Sequence, residues 1–281
     1  MILYKYVSFN SAVNIIKGKS LGFTCLEDLN DPFEGTNFGF SSLGDVTPRA
    51  ATRGFKNHFS HNYAVLSLTR NPLNSLMWAH YGDSHKGIVI GIDIELANLT
   101  SSDEFIIPAQ LGEITYVSTK NKDLNRIPSI DKLNEIKESD LKFKSDIKSY
   151  LKQAFLYKSL EWGYEEEVRV IKSLIDFNFS YHNPLPLSEV LSDVKGSRWD
   201  KLRNNVLGQP LFCFNIPENA IKEVYLGACF YRNMCRSNEE KDKELHDEQL
   251  DYFKVQNFDL FVCEPDYSGW NLSASLVNKN N

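Results

Sequence analysis

The segment 162–172, WGYEEEVRVIK, constrains the fold most tightly, because three consecutive carboxylates run straight into a β-type alternation. A strand that opens at Glu165 places Glu165, Glu167 and Arg169 on one face and Glu166, Val168 and Val170 on the other. Two acids and a guanidinium then line up together. Charge at an exposed strand end protects a sheet against edge-to-edge pairing, which is one reading of the segment. The sharper reading is that Glu167 is a catalytic carboxylate presented from a rigid strand, with Glu165 beside it.

The rest of the composition bounds the class. At 281 residues with 42% hydrophobic and 12% aromatic content, the chain can bury a substantial core as one large domain or two small ones. No run approaches the roughly 18 apolar residues of a membrane span, and the N-terminus MILYKYVSF has neither a basic start with an apolar block nor a small-residue cleavage site. The expectation is a soluble cytoplasmic protein with no membrane partner. Five cysteines at irregular spacing suit reduced thiols rather than a disulfide frame. A net charge of −6 argues against a uniformly basic nucleic-acid coat and leaves room for a local patch.

Along the chain, 2–7 reads as a first strand and 11–17 as a short helix with Ser11 as N-cap and Gly18 closing it. Residues 21–24 form a second strand. Residues 29–34, LNDPFE, read as a rigid, surface-placed Asn-Asp-Pro turn. Residues 38–61 are rich in Gly, Ser and Thr and read as an irregular loop. A buried strand (63–69), a turn with a short aromatic helix (72–81) and the strand GIVIGID (87–93) then make a compact unit with Leu76, Met77, Trp78 and Tyr81 clustered. His80 and His85 sit five apart, which does not put them on one helical face as a metal pair.

A strand at 113–117 precedes a charged amphipathic stretch, 120–158, expected to hold one or two helices that position the carboxylate strand. Residues 177–186 look loop-like. In 195–203, Lys195, Arg198, Lys201 and Arg203 surround Trp199, so cations and an aromatic are interleaved as single-stranded nucleic acid requires; an ordinary solvated loop explains the same residues. Residues 217–227 feed another strand, 239–251 read as an exposed acidic helix, 258–263 as a closing strand, and 271–281 as a frayed tail. No G-x-G-x-x-G, P-loop, G-x-S-x-G or H-E-x-x-H pattern is present, which removes the commonest dinucleotide, phosphoryl, hydrolase and zinc-protease readings.

With LYKY at 3–6, LNDPFE at 29–34, MWAHYGD at 77–83 and YKSLEWGYEEEVRVI at 157–171, the chain resembles a bacterial domain-of-unknown-function family, number 2971. Its opening is also distantly similar to ADP-ribosyltransferase-like toxins, especially those that modify nucleic acids. That second resemblance implies an α+β fold with a split, mostly antiparallel sheet and flanking helices, as a single domain over 1–270 with a helical insertion at about 120–158. It implies NAD as co-substrate and no metal. Glu165-x-Glu167 matches the active-site E-x-E of that group, Tyr81 matches the aromatic that stacks on nicotinamide, and Tyr4, Lys5 and Tyr6 occupy the first-strand anchor, where His or Arg is usual. Arg169 would hold the carboxylates ionised or meet the pyrophosphate.

The activity implied is an NAD-dependent ADP-ribosyltransferase toxin, a phage-defence or toxin-antitoxin effector with RNA or DNA as acceptor and an antitoxin protein as partner. NAD hydrolysis by the same Glu167 is one alternative. A non-catalytic sensor or binding module on the same fold is the other.

Overall fold

The structure, a computed structural model, describes residues 1–35, 47–119, 148–174, 199–204, 209–230, 248 and 250–277. Its strands are β1 (Ile2–Val7), β2 (Ser20–Cys25), β3 (Tyr63–Thr69), β4 (Ile88–Asp93), β5 (Thr115–Val117), β6 (Tyr157–Ser159) and β7 (Glu167–Ser173). They continue with β8 (Trp199–Asn204), β9 (Pro210–Asn215), β10 (Ile221–Leu226), β11 (Asp259–Asp266) and β12 (Asn271–Leu276). Ten of these make one sheet in the order β12-β11-β10-β4-β1-β3-β2-β9-β8, with β7 attached to β3, while β5 and β6 pair separately. Within the large sheet every pairing is antiparallel except β10 with β11, so the architecture is α+β.

The sheet is split at β3. One edge of β3 pairs with β7 along its whole length, from Tyr63↔Ser173 to Thr69↔Glu167. A strand has only two edges, so β1 and β2 share the other. β1 takes Thr69 at one end through Tyr4, and β2 takes Ala64 and Val65 at the other through Cys25 and Thr24. Between them, among the described residues, no strand pairs with this edge of β3 at its middle, and there the Lys5 side chain crosses the gap to donate to the Ser67 carbonyl at 3.3 Å. A side chain thus satisfies a carbonyl that the interrupted ladder leaves open.

Helices cover the sheet. α1 (Phe9–Gly18) buries Phe9, Ala12, Val13, Ile15 and Ile16 in the largest core, which also takes inward residues of β1–β4, β7, β9 and β10. α2 (Pro48–Asn62) and α4 (Lys148–Phe155) close a second core around Phe59, Tyr63, Phe155 and Ile171. Short α3 (Ser75–His80) brings Met77 and Trp78 onto Tyr6, Val89 and Tyr225 in a third.

Helix α1 starts at Phe9 rather than after Ser11, because Ser8 is the N-cap whose Oγ accepts from the Ser11 amide, and buried Phe9 belongs to the apolar face. Its end is turned by Lys19, at φ 47°, not by Gly18. The segment read as a loop over 38–61 contains α2, capped by Thr47, whose Oγ1 accepts from the Ala50 amide. Its polar sequence hides the helix because few apolar residues mark the buried stripe.

Leu76 is exposed and leaves the aromatic cluster. Residues 199–203 are strand rather than loop, and 271–276 form a hairpin strand with β11 instead of fraying, since that pairing satisfies their backbone. Residues 120–147, 177–186 and 239–247, on which the remaining helix and loop expectations fall, lie outside the described residues.

Candidate functional site

Where the sheet splits, a cleft of about 230 Å³ opens, lined by β1 at Tyr4, Lys5 and Tyr6, by β3 at Ser67–Thr69, and by Met77, Tyr81, Lys158, Glu165, Glu167, Arg169 and Glu34. Strands β1, β2, β3, β6 and β7, helix α3 and the turns bearing Glu34 and Glu165 therefore converge on one place, and most of the side chains named are ionisable.

Glu165 and Glu167 converge, but not by strand parity. Residues 160–165 are a 3₁₀ turn, Glu166 takes a left-handed φ of 45°, and the strand begins only at Glu167. The left-handed residue lets the chain turn sharply, so Glu165 and Glu167 face inward while Glu166 is exposed. The turn is pinned on three sides: Thr69 donates its hydroxyl to the Glu165 carbonyl at 2.6 Å, Asn74 donates Nδ2 to the Tyr164 carbonyl at 2.8 Å, and the Glu167 amide donates to the Tyr116 hydroxyl at 2.9 Å. Glu166 thus falls outside the cleft, as the alternation of faces requires, although the geometry that excludes it is different.

Arg169 is the keystone. Nε and Nη2 donate to the two oxygens of Glu167 at 2.7 and 3.0 Å, Nη1 and Nη2 to the two oxygens of Glu34 at 2.8 and 2.5 Å, and Nη1 also to the Phe155 carbonyl at 2.7 Å. All five guanidinium donors are spent in the fully buried interior. The expectation that Arg169 meets a pyrophosphate therefore gives way to the other half of that reading, for one acid of the pair: it holds the Glu167 carboxylate ionised. Strand β7 is seated for this by residues 107–114 on its free edge, where the Arg169 amide donates to the Gly112 carbonyl at 2.8 Å. A Cβ on Gly112 would stand 1.7 Å from the Arg169 carbonyl, so only glycine allows that approach.

Lys158 bridges the acids, with Nζ 2.6 Å from Glu165 Oε2, 3.3 Å from Glu167 Oε2 and 3.8 Å from Glu34. It also lies 4.7 Å from the centre of the Trp162 ring. Tyr81 donates its hydroxyl to Glu165 Oε1 at 2.6 Å. Glu34 arrives through LNDPFE: Asp31 Oδ1 accepts from the Phe33 amide at 2.9 Å, an Asx turn that faces Phe33 to solvent and Glu34 inward. The turn was legible in the sequence; the burial of its last residue was not.

This arrangement drives the two carboxylates apart in proton affinity. Burial alone would raise Glu167, but Arg169 and Lys158 together hold it down to about 2. Glu165 goes the other way, raised by burial and by neighbouring Glu167 against the pull of Lys158. Burial lowers Lys5 to about 8, with Glu167 opposing. Burial and the bond to Glu165 raise the Tyr81 phenol, so it stays a donor at neutral pH. Two acids of unlike proton affinity in one cleft is the pattern by which a fold divides acid and base roles.

The other first-strand residues are committed to the scaffold. Tyr6 donates to the Asn71 carbonyl at 2.8 Å and accepts from the Asn74 amide, packing edge-on to Trp78. Tyr4 donates to Glu223 Oε2 at 3.0 Å, an oxygen it shares with the Tyr225 hydroxyl. Of the three, Lys5 offers donors to a ligand, since the Ser67 carbonyl takes one of its three. The basic patch is not brought here: Trp199, Lys201 and Arg203 lie on β8, separated by β9 from the β2 strand that reaches the cleft, and Lys195 and Arg198 fall outside the described residues. Glu34 and Lys158 are the site residues that sequence reasoning missed. The signal for a lysine was charge balance, because a buried pair of acids needs more than one cation.

Among the described residues no group of three or more His, Cys, Asp or Glu side chains is placed to hold a metal ion, and no helix is long and apolar enough to cross a membrane. A family model described as a protein of unknown function (DUF2971) matches residues 77–170, which include Tyr81, Lys158, Glu165, Glu167 and Arg169. No curated protein and no solved structure matches the chain.

Proposed function

We propose that this chain, a member of the DUF2971 family, is an NAD-dependent ADP-ribosyltransferase whose reaction centre is the cleft at the split of the sheet. The observation that carries the reading is the pairing in one cleft of Glu167, held ionised at neutral pH by Arg169 and Lys158, with a Glu165 of raised proton affinity. NAD, consumed as co-substrate, supplies an ADP-ribosyl group whose bond to nicotinamide breaks with positive charge developing on the ribose.

Glu167 is suited to stabilise that charge, directly or through an adjacent ribose hydroxyl, as carboxylates do in glycoside cleavage. The nitrogen leaves with the bonding pair, the acceptor's lone pair forms the new bond to the anomeric carbon, and the acceptor's proton passes to Glu165. A carboxylate of raised proton affinity is the better base for that transfer. Tyr81 holds Glu165 in place, and Lys5 is the cation with donors to offer a phosphate. The cleft volume of about 230 Å³ lies below the roughly 300–1,000 Å³ of sites that enclose a drug-sized ligand, so it suits the nicotinamide–ribose end rather than a whole dinucleotide.

The wider reading is a cytoplasmic toxin or defence effector that modifies RNA or DNA and is restrained by an antitoxin; it follows from class, not from a residue. Incubating the protein with NAD labelled in the adenylate and with RNA, DNA or lysate tests it. Label on a macromolecule supports transfer and free ADP-ribose supports hydrolysis by the same Glu167. Intact NAD in every mixture leaves the non-catalytic binding module.

A further inference from the structure

The edge of the sheet far from β8 is formed by an uncharged strand. Strand β12 ends the order β12-β11-β10, and among the described residues no strand pairs with its outer edge. Natural sheets blunt such an edge with charge, proline or a bulge. β12 has none of these: Asn271–Leu276 reads NLSASL and runs in unbroken register against β11. The same corner carries large exposed side chains, with Trp270 100%, Tyr267 95% and Leu276 55% exposed. An uncharged edge beside that much exposed apolar surface signals a partner.

The sequence of the strand is self-complementary, which suits a second copy. Residues 272–276, LSASL, read the same in both directions about Ala274. The backbone has the matching phase. The Val277 amide donates to the Leu260 carbonyl at 2.7 Å, so residue 277 points its polar groups toward β11. By alternation Ser275 and Ser273 do the same, while Leu276, Ala274 and Leu272 point theirs to the free edge. Pro265 stands opposite Leu272, where no amide is required of it.

We propose that the protein forms a two-fold symmetric dimer by antiparallel pairing of β12 with β12 about Ala274. In that register Leu272 faces Leu276 of the second copy, Ala274 faces its counterpart, and the outward backbone groups of these pairs exchange about six hydrogen bonds. Leu272 and Ala274 already pack against the cluster around Trp78 and Tyr225, and each copy's Leu276 is brought beside them on the same face. Ser273 faces Ser275 on the opposite, exposed face.

Light scattering coupled to size exclusion tests this, with two double variants at the same surface positions. The wild type elutes at twice the chain mass. Ser273→Lys with Ser275→Lys sets like charges opposite one another and yields a monomer; Ser273→Lys with Ser275→Glu sets opposite charges in the same pairs and remains a dimer. Because both variants replace the same two exposed serines, loss of fold would affect them alike. A wild type that is monomeric at its highest soluble concentration overturns the proposal, as does a Lys/Lys variant that stays dimeric or a Lys/Glu variant that does not.

Discussion

Glu34 and Arg169, 135 positions apart, meet inside the wall of the cleft through two parallel hydrogen bonds of 2.8 and 2.5 Å, and among the described residues Glu167 is the one other acid on the guanidinium. Without Glu34, Arg169 would keep a single carboxylate partner in a fully buried site. Removing one member of a buried ion network costs about 3–5 kcal/mol because the charge left behind is uncompensated. Chemical denaturation of Glu34→Ala is expected to show a loss in that range, with Glu34→Gln losing less because it keeps an acceptor for one donor.

Gly112→Ala should disturb the site without touching any ionisable group. Its Cβ would lie 1.7 Å from the Arg169 carbonyl, backbone against backbone, so β7 must shift. A loss of about 3 kcal/mol or more is expected, in the tail of single-substitution effects. Thermal unfolding beside Gly54→Ala, a helical position with nothing near its Cβ, separates this clash from a general response to alanine.

Glu167 makes stability depend on acid pH. Its folded value of about 2 lies below the ordinary 4.5, so the folded chain holds fewer protons between those values than the unfolded chain. Its contribution is complete above about pH 4.5 and is lost as pH falls toward 2. Wild type should exceed Glu167→Gln by about 3 kcal/mol at neutral pH, and denaturation curves measured downward in pH should show the gap closing.

Lys5 acts at the other end of the scale. Its folded value of about 8 lies below the ordinary 10.5, so the unfolded chain carries the extra proton between them and stability from this group rises from about pH 8 to 10.5. Lys5→Met should flatten that rise relative to wild type. Denaturation midpoints for the two proteins at pH 7, 8, 9 and 10 measure the difference; parallel curves would mean Lys5 is not desolvated.

The sequence was informative where hydrophobic alternation or run length dominates. Tyr63–Thr69 and Ile88–Asp93 are strands because they are buried on both faces, and unbroken apolar runs carry that information locally. Glu165 and Glu167 likewise point to the cleft they line. What stayed hidden depends on distant partners. Glu34 in LNDPFE is indistinguishable from a surface turn residue until Arg169 is beside it, and Lys158 is one lysine among many in a charged stretch. Strand parity and a 3₁₀ turn closed by a left-handed Glu166 both place Glu165 beside Glu167, by different backbones, so the sequence pattern reaches the pairing without revealing the turn. Strand β12 is hidden in the sequence because its pattern of small polar residues reads as a tail until β11 supplies its hydrogen bonds.

Release of nicotinamide from NAD, followed for wild type, Glu166→Gln and Glu167→Gln, separates catalysis by Glu167 from a purely structural role for it. The exposed Glu166 side chain predicts a variant close to wild type, whereas Glu167→Gln should fall by about two to three orders of magnitude, the usual cost of removing one preorganised electrostatic group. Release that is absent in wild type, or that is undiminished in folded Glu167→Gln, would contradict the account.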